Sequence, residues 1–225
     1  MLICAFLEDI EIEISKRLMA LENPESEKFS ESLWELGMNE ISIDDQEQLR
    51  KVFSFAASIE YHHVGLSPKA YLAHPTRVAG MTLFLSPNSE KKLLGTISLL
   101  HNVLEVSSVS SKKLIEETGH EVADSIQILT VNRDLQENID YLNNYYSSIK
   151  STPHSLSVVK IIDKLDNLFM LGLNPDEAVR QRYLNEISHY VLPLVNQFLP
   201  QLANYFENLV LFNQANGMID KKKYL

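Results

Sequence analysis

With 225 residues, 45% of them hydrophobic and 22% charged, the chain has the make-up of one soluble globular domain or one domain with a helical extension. Its net charge of −10 argues against a DNA or RNA partner, though a bound divalent cation would let an acidic protein take a small phosphorylated ligand. The single cysteine, Cys4, excludes an internal disulfide and a cysteine-built zinc site and fits a cytoplasmic location, and no run reaches the roughly 20 apolar residues of a membrane span.

Helical periodicity dominates and strand-like alternation is scarce, so the expected class is all-α. The opening apolar run turns acidic at Glu8 and Asp9 and has no basic leader. It reads as the start of a first helix, about Ala5 to Leu21, and not as a signal peptide. A second helix, about Glu27 to Leu36, is expected to stop at Gly37. A third starts where Ser42 offers a cap and Asp44 and Asp45 face the helix dipole. Residues His63 to Pro68 read as a loop, followed by a helix over Tyr71 to Leu85. Ser89 is the expected cap of the next helix, Glu90 to Leu104, with Leu93, Ile97, Leu100 and Leu104 in register. Shorter helices follow on either side of Gly119, and a polar stretch holds one more over Leu135 to Ile149. Leu156 to Leu171 is a strong amphipathic helix. From Asp176 a long helical region is broken near Pro193 and Pro200, and Lys221–Lys223 reads as a solvated, frayed tail.

Polar groups interrupt these apolar stripes at chemically suggestive places. His101 lies one turn beyond Ile97, and Asp163 one turn beyond Val159, with Asn167 a further turn along. Buried polar groups on separate helices need partners, and a shared divalent ion would supply one. Imidazole and carboxylate suit manganese, iron or zinc. A lone histidine at such an edge is more often structural, so residue type alone leaves both readings open.

The surrounding residues carry a resemblance. Tyr71-Leu72-Ala73-His74-Pro75-Thr76-Arg77-Val78-Ala79, Leu99-Leu100-His101-Asn102-Val103-Leu104-Glu105-Val106, Glu117-Thr118-Gly119-His120-Glu121-Val122-Ala123 and Val159-Lys160-Ile161-Ile162-Asp163-Lys164-Leu165-Asp166-Asn167-Leu168 stand in this order. Together they resemble the blocks of the small RelA/SpoT-type hydrolases of guanosine tetraphosphate (ppGpp), members of the HD-domain metal phosphohydrolases. The resemblance implies a helical HD bundle spanning residues 43–213, with additional N-terminal helices over 1–42 and a C-terminal tail over 214–225. It implies one manganese ion, or another divalent metal, held by His74, His101, Asn102 and Asp163. Glu105 would be the acid–base residue, and Asn167, Lys69 and Arg77 would meet a small phosphorylated nucleotide. Tyr145 or Tyr146 would line its pocket.

The departures are specific. Asn102 stands where the family has aspartate, and Val106 where it has the second acid of a Glu-Asp pair. Gly65-Leu66 occupies the position of a basic, substrate-gripping pair. An amide oxygen can coordinate a metal but brings no charge. Two functions are therefore expected in competition. One is a metal-dependent nucleotide phosphohydrolase. The other is a catalytically degenerate HD domain that binds a nucleotide or a protein, acting through its extra helices or a homodimer interface.

Overall fold

The computed structural model describes residues 7–24, 28–63, 66–152 and 155–225. Cys4, the expected helix start at Ala5, Gly65, Pro153 and His154 lie outside them.

Among the described residues the protein is helical throughout, with a single isolated antiparallel bridge between Tyr61 and Ser107. The first three helices are α1 (Ile10–Glu22), α2 (Phe29–Met38) and α3 (Ile43–Ser58). Asp9 caps α1 through the Glu11 amide at 2.9 Å, and Ser42 caps α3 through the Asp45 amide at 3.2 Å. Helix α4 (Pro68–Leu85) begins three residues earlier than the hydrophobic pattern suggested. Ser67 caps it by accepting from the Ala70 amide at 3.2 Å, and Pro68 sits at a first-turn position where no backbone donor is needed.

Gly37 does not end α2 but lies inside it. A Cβ built on Gly37 would come within 2.4 Å of the Gly80 carbonyl oxygen, and one on Gly80 within 2.3 Å of the Leu33 carbonyl oxygen. The glycine pair lets the backbones of α2 and α4 touch, so its role is close approach and not helix termination.

The expected helix over Glu90 to Leu104 is split into α5 (Lys91–Leu100) and the short α6 (Val103–Val106), and no side chain caps α5. The break falls at His101-Asn102. His101 Nδ1 lies 2.7 Å from the Ser98 carbonyl oxygen, and Asn102 adopts φ −104°, ψ 3°. A side chain that takes a helical carbonyl competes with the backbone ladder there.

Helices α7 (Ser111–Thr118) and α8 (His120–Leu129) turn about Gly119, whose φ of +83° suits glycine. A 3-10 turn at Arg133–Leu135 precedes α9 (Ile139–Lys150). Helix α10 (Leu156–Met170) is the axis of the bundle: every residue from Leu156 to Asp166 is buried. It packs on α1, α4, α5 and α9. Burying each of its Ile, Leu and Val side chains contributes on the order of 1.5–3 kcal/mol before entropy is counted. The chain continues through α11 (Glu177–Glu186), a π-helical turn at Ile187–Val191, α12 (Leu192–Phe198) and α13 (Ala203–Asn216). Pro193 falls in the first turn of α12 and Pro200 opens a 3-10 turn, so both prolines start segments.

The C-terminal lysines are not simply solvated. Lys221 pairs with Glu22 at 2.7 Å, Lys223 pairs with Glu11, and Ser15 Oγ donates to the Tyr224 carbonyl at 2.7 Å. The acidic face of α1 attracts a basic segment more than 200 residues away, which no local pattern reveals. Among the described residues no helix is long and apolar enough to cross a membrane.

Candidate metal centre

Three helices meet at one small polar volume. His74 comes from the second turn of α4, His101 from the end of α5, and Asp163 from the middle of α10. Asp163 Oδ1 lies 3.3 Å from His74 Nε2 and 3.4 Å from His101 Nε2, and the three candidate ligand atoms are all within 4.8 Å of one another.

Each ring is oriented through its other nitrogen. His74 Nδ1 lies 2.8 Å from Asp166 Oδ2, and His101 Nδ1 lies 2.7 Å from the Ser98 carbonyl oxygen. Both partners are acceptors for the Nδ1 protons, so the neutral rings turn their Nε2 lone pairs into the shared volume. Both Nε2 atoms are buried and make no hydrogen bond. Such orphans cost free energy unless something fills the space between them. With metal–nitrogen bonds of about 2.0–2.1 Å, ligands at a tetrahedral ion stand about 3.4 Å apart. The two histidine–carboxylate separations match that edge, so these residues fit a divalent ion.

The charge around the cluster is less generous. Lys160, one turn before Asp163, brings Nζ to 3.1 Å from Asp163 Oδ2, and Asn167 Nδ2 donates to Oδ1 at 2.7 Å. Burial pushes the Asp163 carboxyl upward, but Lys160 and the two histidines outweigh it and hold the group well below the usual carboxylate range. Burial likewise depresses the Lys160 ammonium, and Tyr145, Asp163 and Glu105 together raise it well above its ordinary value. The carboxylate is thus ionised and already partnered by a buried cation.

The other expected site residues separate into two groups. Asn102 sits at the α5–α6 break, half-buried beside the buried phenol of Tyr71. Glu105 is nearly buried, and its Oε1 accepts from the Val131 amide at 3.0 Å, tying α6 to the end of α8. Lys69 is exposed on the first turn of α4. Arg77 is turned inward. It is 5% exposed, donates from Nη2 and Nε to Asp166 at 2.8 and 3.0 Å, and gives Nη1 to Ser30 Oγ at 3.1 Å. Its guanidinium is engaged in the core, where a substrate contact had been expected. Tyr145 and Tyr146 are also buried: Tyr145 donates to the Leu129 carbonyl at 2.5 Å, and Tyr146 donates to Glu186.

Sequence reasoning missed Asp166. It is 1% exposed and holds His74, Arg77 and Arg17 at once. Burial raises its carboxyl, but Arg77, Arg17 and His74 overcome that and hold it well below the usual range. The available signal was a second aspartate at i+3 from Asp163, on the same side of an amphipathic helix.

No family model matches the chain. It is 25% identical over 171 residues to the guanosine-3′,5′-bis(diphosphate) 3′-pyrophosphohydrolase of Borreliella burgdorferi, an alignment covering 73% of this chain and 25% of that protein. The chain therefore corresponds to about a quarter of that relative's length. A solved structure described as a metazoan orthologue of SpoT that hydrolyses ppGpp superposes with a TM-score of 0.56 at 18% identity, covering 79% of this chain and 98% of that one. In sequence the chain is similar to part of a guanosine-3′,5′-bis(diphosphate) 3′-pyrophosphohydrolase, and it shares its all-helical fold with the solved SpoT orthologue.

Proposed function

We propose that the protein is a metal-dependent phosphohydrolase acting on a nucleotide, with the 3′-pyrophosphate of ppGpp as the leading substrate. One observation carries this reading: two imidazoles present buried Nε2 atoms, neither in a hydrogen bond, to the same carboxylate oxygen. The activity named for the relatives supports the choice of substrate.

In this reading His74, His101 and Asp163 hold one divalent ion, manganese by analogy, and Asn102 adds a neutral amide oxygen. The ion supplies Lewis acidity toward phosphate and an acidified water. Asp166 and the Ser98 carbonyl keep both rings aimed. Lys160 offsets the Asp163 charge, which lowers the pull on a divalent cation but welcomes a polyanionic substrate. Glu105 is the group that takes a proton from water, its carboxylate held in place by the Val131 amide. Exposed Lys69, and Asn167 beside Asp163, are the candidate side chains for meeting the nucleotide. Arg77, already spent on Asp166 and Ser30, serves the scaffold instead.

A second reading, a degenerate HD domain that binds without turnover, is favoured by two substitutions at once. Asn102 removes an anionic ligand, and Val106, where the resembled family has an acid, is buried as part of the apolar core. Manganese-dependent release of pyrophosphate from ppGpp, measured on wild type and Asn102→Asp together, separates them. Turnover by the wild type establishes the hydrolase. Turnover by Asn102→Asp alone identifies a scaffold disabled at one ligand. No release from either variant rejects the ppGpp assignment and favours the binding module.

A further inference from the structure

The N-terminal helix reaches the centre through a buried charge relay. Arg17 on α1 is fully buried, with its guanidinium carbon 4.0 Å from the centre of the Phe169 ring. Its Nη1 pairs with the Glu13 carboxylate one turn back, and its Nε donates to Asp166 Oδ1 at 2.9 Å. The other oxygen of Asp166 receives His74 Nδ1 at 2.8 Å, with Arg77 gripping both oxygens from the side. Glu13, Arg17, Asp166 and Arg77 make two buried anions and two buried cations, so the set is balanced by itself.

Geometry divides the labour within it. Arg77 sits on α4, the same helix as His74, and moves with it. Arg17 comes from a different helix and anchors Oδ1, which leaves Oδ2 turned toward the imidazole. Without that anchor the carboxylate keeps only the fork of Arg77, from the helix that carries His74, and the acceptor facing the ring is less firmly fixed. We propose that Arg17 is a positioning residue for the candidate metal centre: through Asp166 it fixes the ring of His74, so that docking of α1 sets the centre's readiness for a divalent ion. This rests on the metal-site reading above. It gives α1 a part in the site as well as in the fold. Partners that orient a ligating histidine typically change metal affinity by about 10–100-fold when removed.

The test uses the full chain, two relay variants and one control. Glu13→Gln with Arg17→Met removes one anion and one cation together, which avoids stranding a buried charge. Arg17→Lys keeps the cation beside Glu13 but loses the Nε contact to Asp166. Leu18→Ala is the control: Leu18 is on α1 and fully buried, and its loss destabilises the helix without touching the relay. Folding is checked by thermal melting, affinity by calorimetric titration with zinc and with manganese, and ring orientation by the nitrogen-15 shifts of His74 in the metal-free protein.

The expected result is a metal Kd raised about tenfold or more in both relay variants and a change from one His74 tautomer to a mixture. Leu18→Ala should hold its Kd within about twofold at a comparable loss of melting temperature. Relay variants with an unchanged Kd and an unchanged His74 spectrum overturn the role of Arg17. If the wild type binds neither ion, the metal-site reading fails by itself. The His74 spectrum of the metal-free protein then decides for Arg17: a tautomer mixture in the variants sustains the positioning role, and a single unchanged tautomer overturns it.

Discussion

Replacing Asp166 by alanine should damage this protein more than any other single loss of charge. The carboxylate has three partners, and their fates differ. Arg17 retains Glu13, one turn away, so its charge stays paired. Arg77 retains only the Ser30 hydroxyl and becomes an uncompensated cation at 5% exposure. Breaking a buried pair from one side costs about 3–5 kcal/mol. The His74 Nδ1 proton loses its acceptor as well, for a further ~1–3 kcal/mol. A combined loss of about 4–8 kcal/mol is comparable with the whole stability of a domain, about 5–15 kcal/mol. Urea unfolding followed by circular dichroism at 222 nm should therefore show a midpoint cut to half or less, or no folded baseline. Glu35→Ala, which breaks the exposed Arg50–Glu35 pair, should cost under ~1 kcal/mol in the same assay. A loss below about 2 kcal/mol for Asp166→Ala would refute the reasoning, because the arginines would then have found water or new partners.

Gly80→Ala should destabilise by roughly 1–3 kcal/mol, since the new Cβ must clear a backbone oxygen 2.3 Å away that no rotamer change can move; thermal melting reports it. Stability should peak between about pH 4 and pH 6.5. The depressed carboxyls of Asp163 and Asp166 contribute above their ordinary value of 3.8, and that contribution is lost as pH falls through their folded values. For His74, burial opposes protonation but the two carboxylates outweigh it, so its raised pKa contributes below 6.5 and is lost as pH rises through the folded value. Urea midpoints measured across pH 3 to 8 would show the peak, and a midpoint still climbing at pH 8 would contradict it. Glu105→Gln keeps an acceptor for the Val131 amide, so melting should move little. Nucleotide hydrolysis, if Glu105 handles the proton, should fall by about 10²-fold or more.

The class of fold and the meeting of His74, His101 and Asp163 could be read from the chain, because helical periodicity is local and the four blocks keep their order. What escaped was non-local. Asp166 finds Arg17 149 positions away and Arg77 89 positions away, and nothing in the local pattern of either arginine marks it as buried. Arg77 looked like a substrate ligand because a cation near a phosphate site is chemically sensible. Its inward orientation follows from the position of Asp166 on the facing helix. Gly37 looked like a stop because its close partner, Gly80, lies on another helix. The break at His101-Asn102 depends on a side chain taking a helical carbonyl, which apolar spacing does not register. Lys221 and Lys223 pair with α1, at the other end of the chain.

The most direct test of the account is a manganese titration of the wild type and His101→Ala, followed by calorimetry and by the loss of the free-ion electron paramagnetic resonance signal. The account predicts one ion per chain for the wild type and none for His101→Ala, with the helical content of the variant retained. A wild type that binds no divalent ion, or a His101→Ala variant that binds it equally well, would contradict the claim that His74, His101 and Asp163 form a metal centre.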